Sequence, residues 1–246
     1  MATSSPIAAM FDRISPKYDA LNHLLSFNID KVWRRKTARA VAKRQPQTIL
    51  DLATGTADLA LLLAKYNPQA HIVGMDLSEK MLEIGKEKVK RQGLEHRIEL
   101  QQGDAAALPF DDGSFDAVTV AFGVRNFEDL DKGLSEIRRV LKPGGQTFIL
   151  EFSMPEHFPV KQLYRFYFKR LLPFVGRIVS KDPGAYTYLP ASVERFPKPE
   201  AFLKLLSRHG LSEGAAKRFS FGITTLYSAF FSNFAADFAI KAKLSR

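Results

Sequence analysis

The 246-residue chain contains no cysteine. This excludes disulfide bonds, thiolate zinc sites, cysteine nucleophiles and cysteine-ligated iron–sulfur clusters. Histidine is scarce, and no two histidines lie four residues apart, so we expect no metal site: His23, His71, His96, His157 and His209. Glycine (15 residues) and proline (13 residues) are too few for a low-complexity chain. The composition is that of a folded domain.

Long uncharged runs are also scarce. The longest extends from Phe219 to Ala236 and is a poor membrane span, because it contains six Ser, Thr and Asn residues. The first ten residues lack the basic and apolar regions of a secretory signal. We therefore expect a cytoplasmic protein, bound at most peripherally to the inner face of the cytoplasmic membrane.

Negative charge is scarce near the end of the chain. Residues 151–246 contain 15 Lys and Arg, 7 Asp and Glu, and 13 of the 20 Phe, and they carry most of the net charge of +10. Such an excess indicates an anionic partner, which would be nucleic acid, anionic lipid or an acidic substrate. A solvated basic face that aids solubility explains the same charge.

Short apolar runs alternate with amphipathic stretches between residues 47 and 153. This alternation is typical of βαβ units and predicts an α/β fold with a mostly parallel sheet. The predicted strands are Ile49–Leu52, His71–Leu77, Ile98–Gln101, Phe115–Phe122 and Thr147–Phe152. The predicted helices are Asp58–Tyr66, Glu79–Arg91 and Leu130–Leu141, the last followed by a turn at 142–145.

The flanking parts have other patterns. Residues 1–46 are expected to be helical, most clearly at Ile29–Lys43, and residues 155–197 are an aromatic, proline-containing insertion. A helix and a late antiparallel hairpin then complete the sheet, at Pro199–His209, Gly214–Phe221 and Leu226–Ser232.

Ligands of open α/β sheets bind beyond the carboxyl ends of the strands. After the first strand, Gly55 permits a sharp turn, and Thr56 either binds the ligand or caps the next helix. The segment lacks the third glycine of a dinucleotide fingerprint and the Gly-Lys-Ser/Thr of a phosphate loop. Asp51, just before the turn, would repel a pyrophosphate and suits a cationic amino group.

The next three strand ends each offer a nucleoside contact. Asp76 is placed to accept both ribose hydroxyls, and Asp104, followed by Ala105, to accept the adenine amino group. Ala121 and Phe122 begin a segment that can lie against the ligand. Singly, either Asp is more often a helix cap or a turn residue. Together, the strand ends predict a nucleoside site.

These motifs resemble those of the class I S-adenosylmethionine (SAM)-dependent methyltransferases. More specific segments, spread over nearly the whole chain, resemble the UbiE/MenG quinone C-methyltransferases: residues 11–19, 108–111, 122–126, 139–145, 151–153, 186–192 and 196–197. Four positions depart from that family's pattern, none of them an expected SAM contact: Leu21, Asp30, Thr147 and Phe196.

The resemblance implies a Rossmann-like class I methyltransferase fold with a seven-stranded, mostly parallel sheet and helices on both faces. It implies a methyltransferase domain at 47–246, a lid at 1–46, and SAM as cofactor without a metal. The cofactor would be bound by Tyr18, Asp51, Gly55, Thr56, Asp76, Leu77, Asp104, Ala105, Ala121 and Phe122. The substrate would be a reduced polyprenyl quinone, methylated on its ring in menaquinone or ubiquinone biosynthesis.

Arg125 and Asn126 are the expected catalytic residues, because they follow the fourth strand beside the methyl donor. A guanidinium stabilises a phenolate and so lowers the pKa of a quinol hydroxyl. Asn126 would orient that hydroxyl or a water molecule. The alternative is that Arg125 pairs with Glu128 or Asp129 on a surface loop.

Tyr18 has two interpretations. In the first it belongs to the lid, with its hydroxyl near the methionine carboxylate of SAM. In the second, Phe11, Ile14 and Tyr18 form the core-facing side of a helix.

The insertion carries a basic stripe at Lys161, Arg165 and Lys169, among aromatic residues that continue to Lys181. This pattern favours docking on anionic lipid, where a polyprenyl quinol resides, although the aromatic residues would equally well cap the sheet. An RNA or small-metabolite methyltransferase, and a SAM-binding scaffold without activity, are the competing functions. No nucleic acid is expected, because no RNA-binding module is apparent. The sequence is compatible with a homo-oligomer and does not predict its size.

Overall fold

The structure, a computed structural model, describes residues 5–167, 170 and 183–232. Its centre is one seven-stranded sheet of order β3-β2-β1-β4-β5-β7-β6. The strands are β1 (Thr48–Leu52), β2 (His71–Asp76), β3 (Ile98–Gln102), β4 (Phe115–Ala121), β5 (Leu141–Phe152), β6 (Leu211–Phe219) and β7 (Thr224–Phe231). Strands β1 to β5 pair in parallel, whereas β7 pairs antiparallel with both β5 and β6. The predicted sheet and its late hairpin are confirmed.

Eight helices are described around this sheet. They are α1 (Pro6–Leu25), α2 (Ile29–Ala42), α3 (Asp58–Tyr66), α4 (Glu79–Arg91), α5 (Leu130–Val140), α6 (Val160–Phe166), α7 (Pro183–Arg195) and α8 (Pro199–Arg208). Single 3-10 turns follow β4 at Val124–Asn126 and β6 at Ser220–Gly222.

The helices cover both faces because the side chains of each strand alternate. In β1, Ile49 packs into the core beneath α2 and α3, whereas Leu50 packs into the core beneath α5 and α8. Both residues are fully buried. Burial on two sides explains why the strands read as continuous apolar runs in the sequence.

The predicted start of the fifth strand was wrong. The turn residues 142–145 lie inside β5, which begins at Leu141 directly after α5. Leu141 pairs with Phe115, the register then shifts, and Gln146 pairs with Ala117. Gly144 lies within this irregular part of β5 and has a φ of 81°, a left-handed conformation that glycine adopts readily. A turn motif in the sequence thus forms a bulge within a strand.

The strand order reverses at β1, which has β2 on one side and β4 on the other. A ligand crevice is expected at the carboxyl end of such a switch point. Helix α1 lies across this end of the sheet. The hydroxyl of Ser78 at the start of α4 donates to the Asp12 carboxylate of α1 over 2.5 Å.

Candidate active site

A pocket of about 80 Å³, the strand-end pocket, opens at the carboxyl ends of β1 to β4 beneath α1. Nine of the twelve predicted site residues line it: Tyr18, Gly55, Asp76, Leu77, Asp104, Ala105, Ala121, Phe122 and Asn126. The fold therefore brings together most residues that the strand-end argument selected. Asp51, Thr56 and Arg125 are not among its lining residues.

Asp76, the last residue of β2, is hydrogen-bonded in this pocket to Gly55 in the turn that follows β1. The Gly55 N–H donates to Asp76 Oδ2 over 2.8 Å, and the Ser78 N–H donates to Oδ1 over 2.9 Å. Gly55 has a φ of 57°, and no atom lies within 4 Å of where its Cβ would be. Burial raises the pKa of Asp76, against the effect of these N–H donors. The turn thus presents an acceptor carboxylate beside open space.

Two more glycines let the strand ends approach each other. A Cβ on Gly123 would lie 2.3 Å from the Cβ of Ala53, and one on Gly103 would lie 2.6 Å from the sulfur of Met75. Asp104 follows Gly103, and its Oδ1 accepts the Ala106 N–H over 2.9 Å. Asp104 is therefore a turn residue and a pocket residue at once.

Asp51 lies beneath the pocket rather than in its wall. It is 1% exposed, and its two carboxylate oxygens accept the hydroxyls of Thr54 and Thr119 over 2.7 and 2.5 Å. Burial raises the pKa of Asp51 to about 6, against the effect of the two hydroxyls. A contact with the cofactor stays a prediction for this residue.

Thr56 joins a polar cluster between α1, α3 and α4. Its hydroxyl donates to Asp19 over 2.6 Å and accepts from Lys88 over 2.9 Å. The capping alternative was wrong, because the N-cap of α3 is Ala57, in the left-handed conformation. The cluster fastens α1 to the helices beside the sheet.

The same region holds a three-residue group that the histidine spacing did not reveal. Ligand atoms of His23, Asp30 and Asp58 lie within 4.8 Å of one another. The two carboxylates already pair with cations, Asp30 with Arg34 and Asp58 with Lys88. These ion pairs account for the group.

A second space, the apolar cavity, adjoins the strand-end pocket and has a volume of about 480 Å³. Its walls come from α1, α2, α6 and α7 and are mostly apolar or aromatic, including Leu25, Trp33, Leu163 and Leu189. The two spaces share Phe11, Tyr18 and Phe122 as walls. The sequence did not predict this cavity.

Arg125 lines the apolar cavity, not the strand-end pocket. Its Nη1 lies 2.7 Å from Glu151 Oε1, with side chains only 7% and 0% exposed. The surface alternative was therefore wrong: Glu128 accepts the Ser5 hydroxyl and Asp129 caps α5. Burial raises the pKa of Glu151, against the attraction of Arg125. The result is a cation held by a buried carboxylate at the cavity wall.

Further bonds fix the 3-10 turn that carries Arg125 and Asn126. Arg125 Nη1 donates to the Phe122 carbonyl over 2.5 Å and Nε to Ser192 Oγ over 3.3 Å. The Tyr188 hydroxyl of α7 donates to Asn126 Oδ1 over 3.0 Å. Burial raises the pKa of Tyr188. Helix α7 thus holds both predicted catalytic residues in place.

Tyr18 fits parts of both interpretations. Its ring meets that of Phe11 edge-on at 6.0 Å, and both rings wall the two spaces. Ile14 lines the apolar cavity and also packs in the small core around Leu21. Burial raises the pKa of the Tyr18 hydroxyl. One side of α1 therefore contributes residues both to the walls of the two spaces and to a small hydrophobic core.

The model of the ubiE/COQ5 methyltransferase family matches residues 1–230. The chain belongs to this family. Its motifs at the strand ends, at α1 and around Arg125 all lie within the matched span.

The chain is similar to curated relatives over most of their length. The demethylmenaquinone methyltransferase of Bacteroides fragilis is 48% identical over 226 residues, which cover 92% of each chain. That of Thermus thermophilus is 50% identical over 82% of this chain and 91% of its own. The ubiquinone/menaquinone biosynthesis C-methyltransferase UbiE of Geobacter sulfurreducens is 45% identical over 90% and 87%.

Solved structures share the fold at low identity. The [4+2]-cyclase SpnF superposes with a TM-score of 0.67 at 18% identity, covering 94% of this chain and 96% of its own. A SAM-dependent methyltransferase from Aquifex aeolicus gives 0.56 at 20% identity, covering 75% and 82%. The first of these names a different chemistry, so the fold alone does not select the reaction.

Proposed function

We propose that this protein transfers a methyl group from SAM to a ring carbon of a reduced polyprenyl quinone, with demethylmenaquinol as the main substrate. The observation that carries the proposal is the junction of two unlike spaces, a polar pocket at the strand ends and a large apolar cavity, at Phe11, Tyr18 and Phe122. The names of the relatives select the same reaction.

The strand-end pocket has the groups that SAM requires. The carboxylate of Asp76 is an acceptor for ribose hydroxyls, and that of Asp104 is an acceptor for the adenine amino group. Open space above Gly55 admits a ligand close to the backbone. Thr56 and Asp51 would act through the turn that they support. When bound, SAM supplies a methyl group already activated on a sulfonium.

In this proposal helix α1 moves to admit the cofactor. Ile7, Ala8 and Phe11 of α1 wall the strand-end pocket and leave only about 80 Å³ of space. We assign residues 1–46 as the lid on this ground. The bonds of Asp12 to Ser78 and of Asp19 to Thr56 and Lys88 would close it again over the ligand.

Arg125 acts on the quinol ring in this proposal. A guanidinium at the wall of this apolar cavity stabilises negative charge on a quinol oxygen whose proton has passed to water, which makes the neighbouring ring carbon nucleophilic. The ring carbon gains the methyl group as the bond from methyl to sulfur breaks, and it then loses its own proton to water, which restores the quinol. Glu151 positions Arg125 and keeps it from turning away. Asn126, held by Tyr188, would orient the second polar group, a hydroxyl or a water molecule.

The apolar cavity suits a prenyl chain. It opens between the α1–α2 turn and α6, where Phe27, Leu163 and Phe166 line it and are exposed. Within the described ranges, no helix is long and apolar enough to cross a membrane. We propose a cytoplasmic enzyme that reaches its substrate from the membrane surface, because the exposed Phe27, Leu163 and Phe166 line the cavity where it opens. Of the predicted basic stripe, Lys169 and residues 171–182 lie outside the described residues.

Methyl transfer from labelled SAM tests the proposal. The acceptors are short-tailed demethylmenaquinol and the matching methoxybenzoquinol, with both oxidised quinones and a transfer RNA as controls. We expect label in demethylmenaquinol and none in the oxidised forms, because only a quinol has an ionisable hydroxyl. Label in the RNA alone, or in neither quinol, would contradict the proposal. Label in the benzoquinol alone would show that the substrate is a benzoquinol and would contradict demethylmenaquinol as the main substrate.

A further inference from the structure

Eight large apolar side chains are exposed in the described part of the chain, and all belong to segments that frame the mouth of the apolar cavity. They are Leu24, Phe27, Ile29, Val32, Phe158, Leu163, Phe166 and Phe221. Four of them line the cavity, and the others lie within two residues of a lining residue. Scattered exposed apolar residues are ordinary, but a grouping around one opening marks an interaction surface. We call these eight residues the apolar rim.

Two rim residues have a backbone conformation that aromatic side chains rarely adopt. Phe27 has a φ of 52° and is 75% exposed, and Phe221 has a φ of 59° and is 83% exposed. Positive φ is unfavourable for a bulky residue, and exposure of a phenyl ring to water adds to the cost. Neither effect stabilises the free protein. Strain of this kind points to a function for the exposed ring.

Hydrogen bonds join the segments of the rim into one face. The Tyr167 hydroxyl after α6 donates to the Leu25 carbonyl of α1 over 2.6 Å. The indole N–H of Trp33 in α2 donates to the Ser220 hydroxyl, next to Phe221, over 2.9 Å. The α1–α2 turn, α6 and the second 3-10 turn are thus fixed to one another around the opening.

The charge around the rim is almost entirely positive. Residues 20–47 contain seven Lys and Arg and a single acidic residue, Asp30. Asp30 is buried against Arg34, whereas Lys31 and Arg35 are exposed on α2. Residues 156–170 contain four Lys and Arg and a single acid, Glu156, which pairs with Arg218, and Arg165 is exposed on α6. An exposed apolar face ringed by cations is the pattern of a surface that binds anionic lipid.

We propose that the apolar rim docks on an anionic bilayer, with Phe27 and Phe221 inserted between the headgroups and the mouth of the apolar cavity facing the lipid. A second copy of the chain fits this face poorly, because it would bring the same positive charge against itself. The proposal rests on the proposed function, in that a substrate dissolved in lipid explains why the opening faces the bilayer.

Co-sedimentation with vesicles tests the docking without any quinol. The vesicles are phosphatidylcholine alone or with phosphatidylglycerol, and the variants are Phe27→Asn, Phe221→Asn and the pair Lys31→Gln and Arg35→Gln. We expect binding to the anionic vesicles only, weakened about tenfold by each Phe substitution through loss of buried apolar area. Lys204→Gln on α8 changes an exposed Lys of another surface and should bind as the wild type does.

Stability separates docking from a structural role. Asn tolerates positive φ, so Phe27→Asn and Phe221→Asn should unfold at the same or a higher temperature than the wild type while they bind vesicles less. Wild-type binding by both Asn variants, or equal binding to both vesicle types, would overturn the proposal. So would a change from dimer to monomer in Phe221→Asn, which would make the rim an interface between copies.

A kinetic comparison separates this inference from the proposed function. Phe221 does not line the apolar cavity, so Phe221→Asn should methylate a soluble, short-tailed quinol at the wild-type rate and a long-tailed quinol in anionic vesicles several-fold more slowly. Equal slowing with both substrates would contradict docking. A wild type that methylates neither quinol would contradict the proposed function. The docking proposal would then be judged by the vesicle binding alone, which needs no quinol.

Discussion

The strand-end pocket and the apolar cavity lie side by side but are built in different ways. Strand ends supply the first, and its polar groups are held by backbone bonds such as that from Gly55 to Asp76, 2.8 Å long. Helices supply the second, whose walls are mostly apolar side chains and whose volume is about six times greater, 480 against 80 Å³. The first space presents hydrogen-bonding groups of fixed direction, and the second presents mostly apolar surface.

This difference explains how one fold can serve many reactions. The sheet is the part that the solved structures share with this chain, and a fold by itself does not select a reaction. SpnF illustrates the point, because it shares the fold at 18% identity and has another chemistry. Changes in each space should therefore affect different kinetic constants.

The largest effect is expected at Arg125, which lines the apolar cavity and donates to the carbonyl of Phe122 in the shared wall. Arg125→Ala should lower kcat about a thousandfold, because it removes the cation that we propose to stabilise the quinol oxygen, and should leave SAM affinity nearly intact. Steady-state kinetics and titration calorimetry with SAM measure the two quantities. Undiminished turnover would contradict the role given to Arg125.

Glu151→Gln provides the matched control for that result. The amide keeps a hydrogen-bond acceptor for Arg125 and removes the negative charge that holds it. A positioning role predicts a smaller fall in kcat than in Arg125→Ala, and a pH–rate profile that differs from the wild type. A lower unfolding temperature with kcat and the pH–rate profile both unchanged would mean a purely structural role.

A smaller effect is expected at Asp76 in the strand-end pocket. Asp76→Asn should weaken SAM binding about ten- to a hundredfold through loss of charged hydrogen bonds to the ligand. The KM for the quinol should not change. Calorimetry with SAM and with S-adenosylhomocysteine measures the loss, and unchanged affinity would place the ribose elsewhere.

A still smaller effect is expected in the apolar cavity. Leu189→Gln places an amide among apolar walls and should raise the KM for a long-tailed quinol about tenfold, because the amide must lose its water when the tail binds. SAM affinity and the KM for a tailless quinol should stay at the wild-type values. Equal increases in the KM for tailed and tailless quinols would contradict the proposal that the prenyl tail binds in this cavity.

The smallest effect on catalysis is expected at Asp51, whose influence appears in stability. Its pKa of about 6 lies above the unfolded value, so the folded state holds the proton more tightly. Stability from this group is present at low pH and is lost as the pH rises through about 6, by roughly 3 kcal/mol at most for a shift of this size.

Urea unfolding between pH 4.5 and 7.5 checks this sign. The free energy of unfolding of the wild type should fall relative to that of Asp51→Asn as the pH rises. A difference that is constant across this range would show that Asp51 keeps its ordinary pKa.

The strand-end pocket could be predicted from the sequence because its residues are placed by secondary structure alone. Any residue that directly follows a parallel strand reaches the same edge of the sheet, so Gly55, Asp76 and Asp104 could be grouped without knowing the strand order. The same argument could not place Asp51, which points below the edge to Thr54 and Thr119.

The ion-pair partner of Arg125 could be predicted only with knowledge of the strand order. Near neighbours in sequence suggested Glu128 or Asp129, but β4 and β5 are adjacent in the sheet, with Ala121 opposite Leu150. Glu151 therefore emerges beside the segment that follows β4. With that order, comparing the residues at the carboxyl end of every strand, including Glu151 near the end of β5, would have found the pair.

The apolar cavity could not be predicted because no single element contains it. Its walls come from helices separated by more than a hundred residues, and their apolar positions resemble ordinary core faces. The exposed Phe27 and Phe221 were equally hidden, since their left-handed backbone is a property of the folded turns.

The central claim is that two separate spaces meet only at a shared wall, and a double-mutant cycle tests it most directly. Both KM values would be measured for the wild type, Asp76→Asn, Leu189→Gln and the double variant with a long-tailed demethylmenaquinol. We expect Asp76→Asn to change only the KM for SAM, Leu189→Gln only the KM for the quinol, and the double variant to show both changes additively. Strong coupling, or a change in both constants from either single variant, would contradict the account.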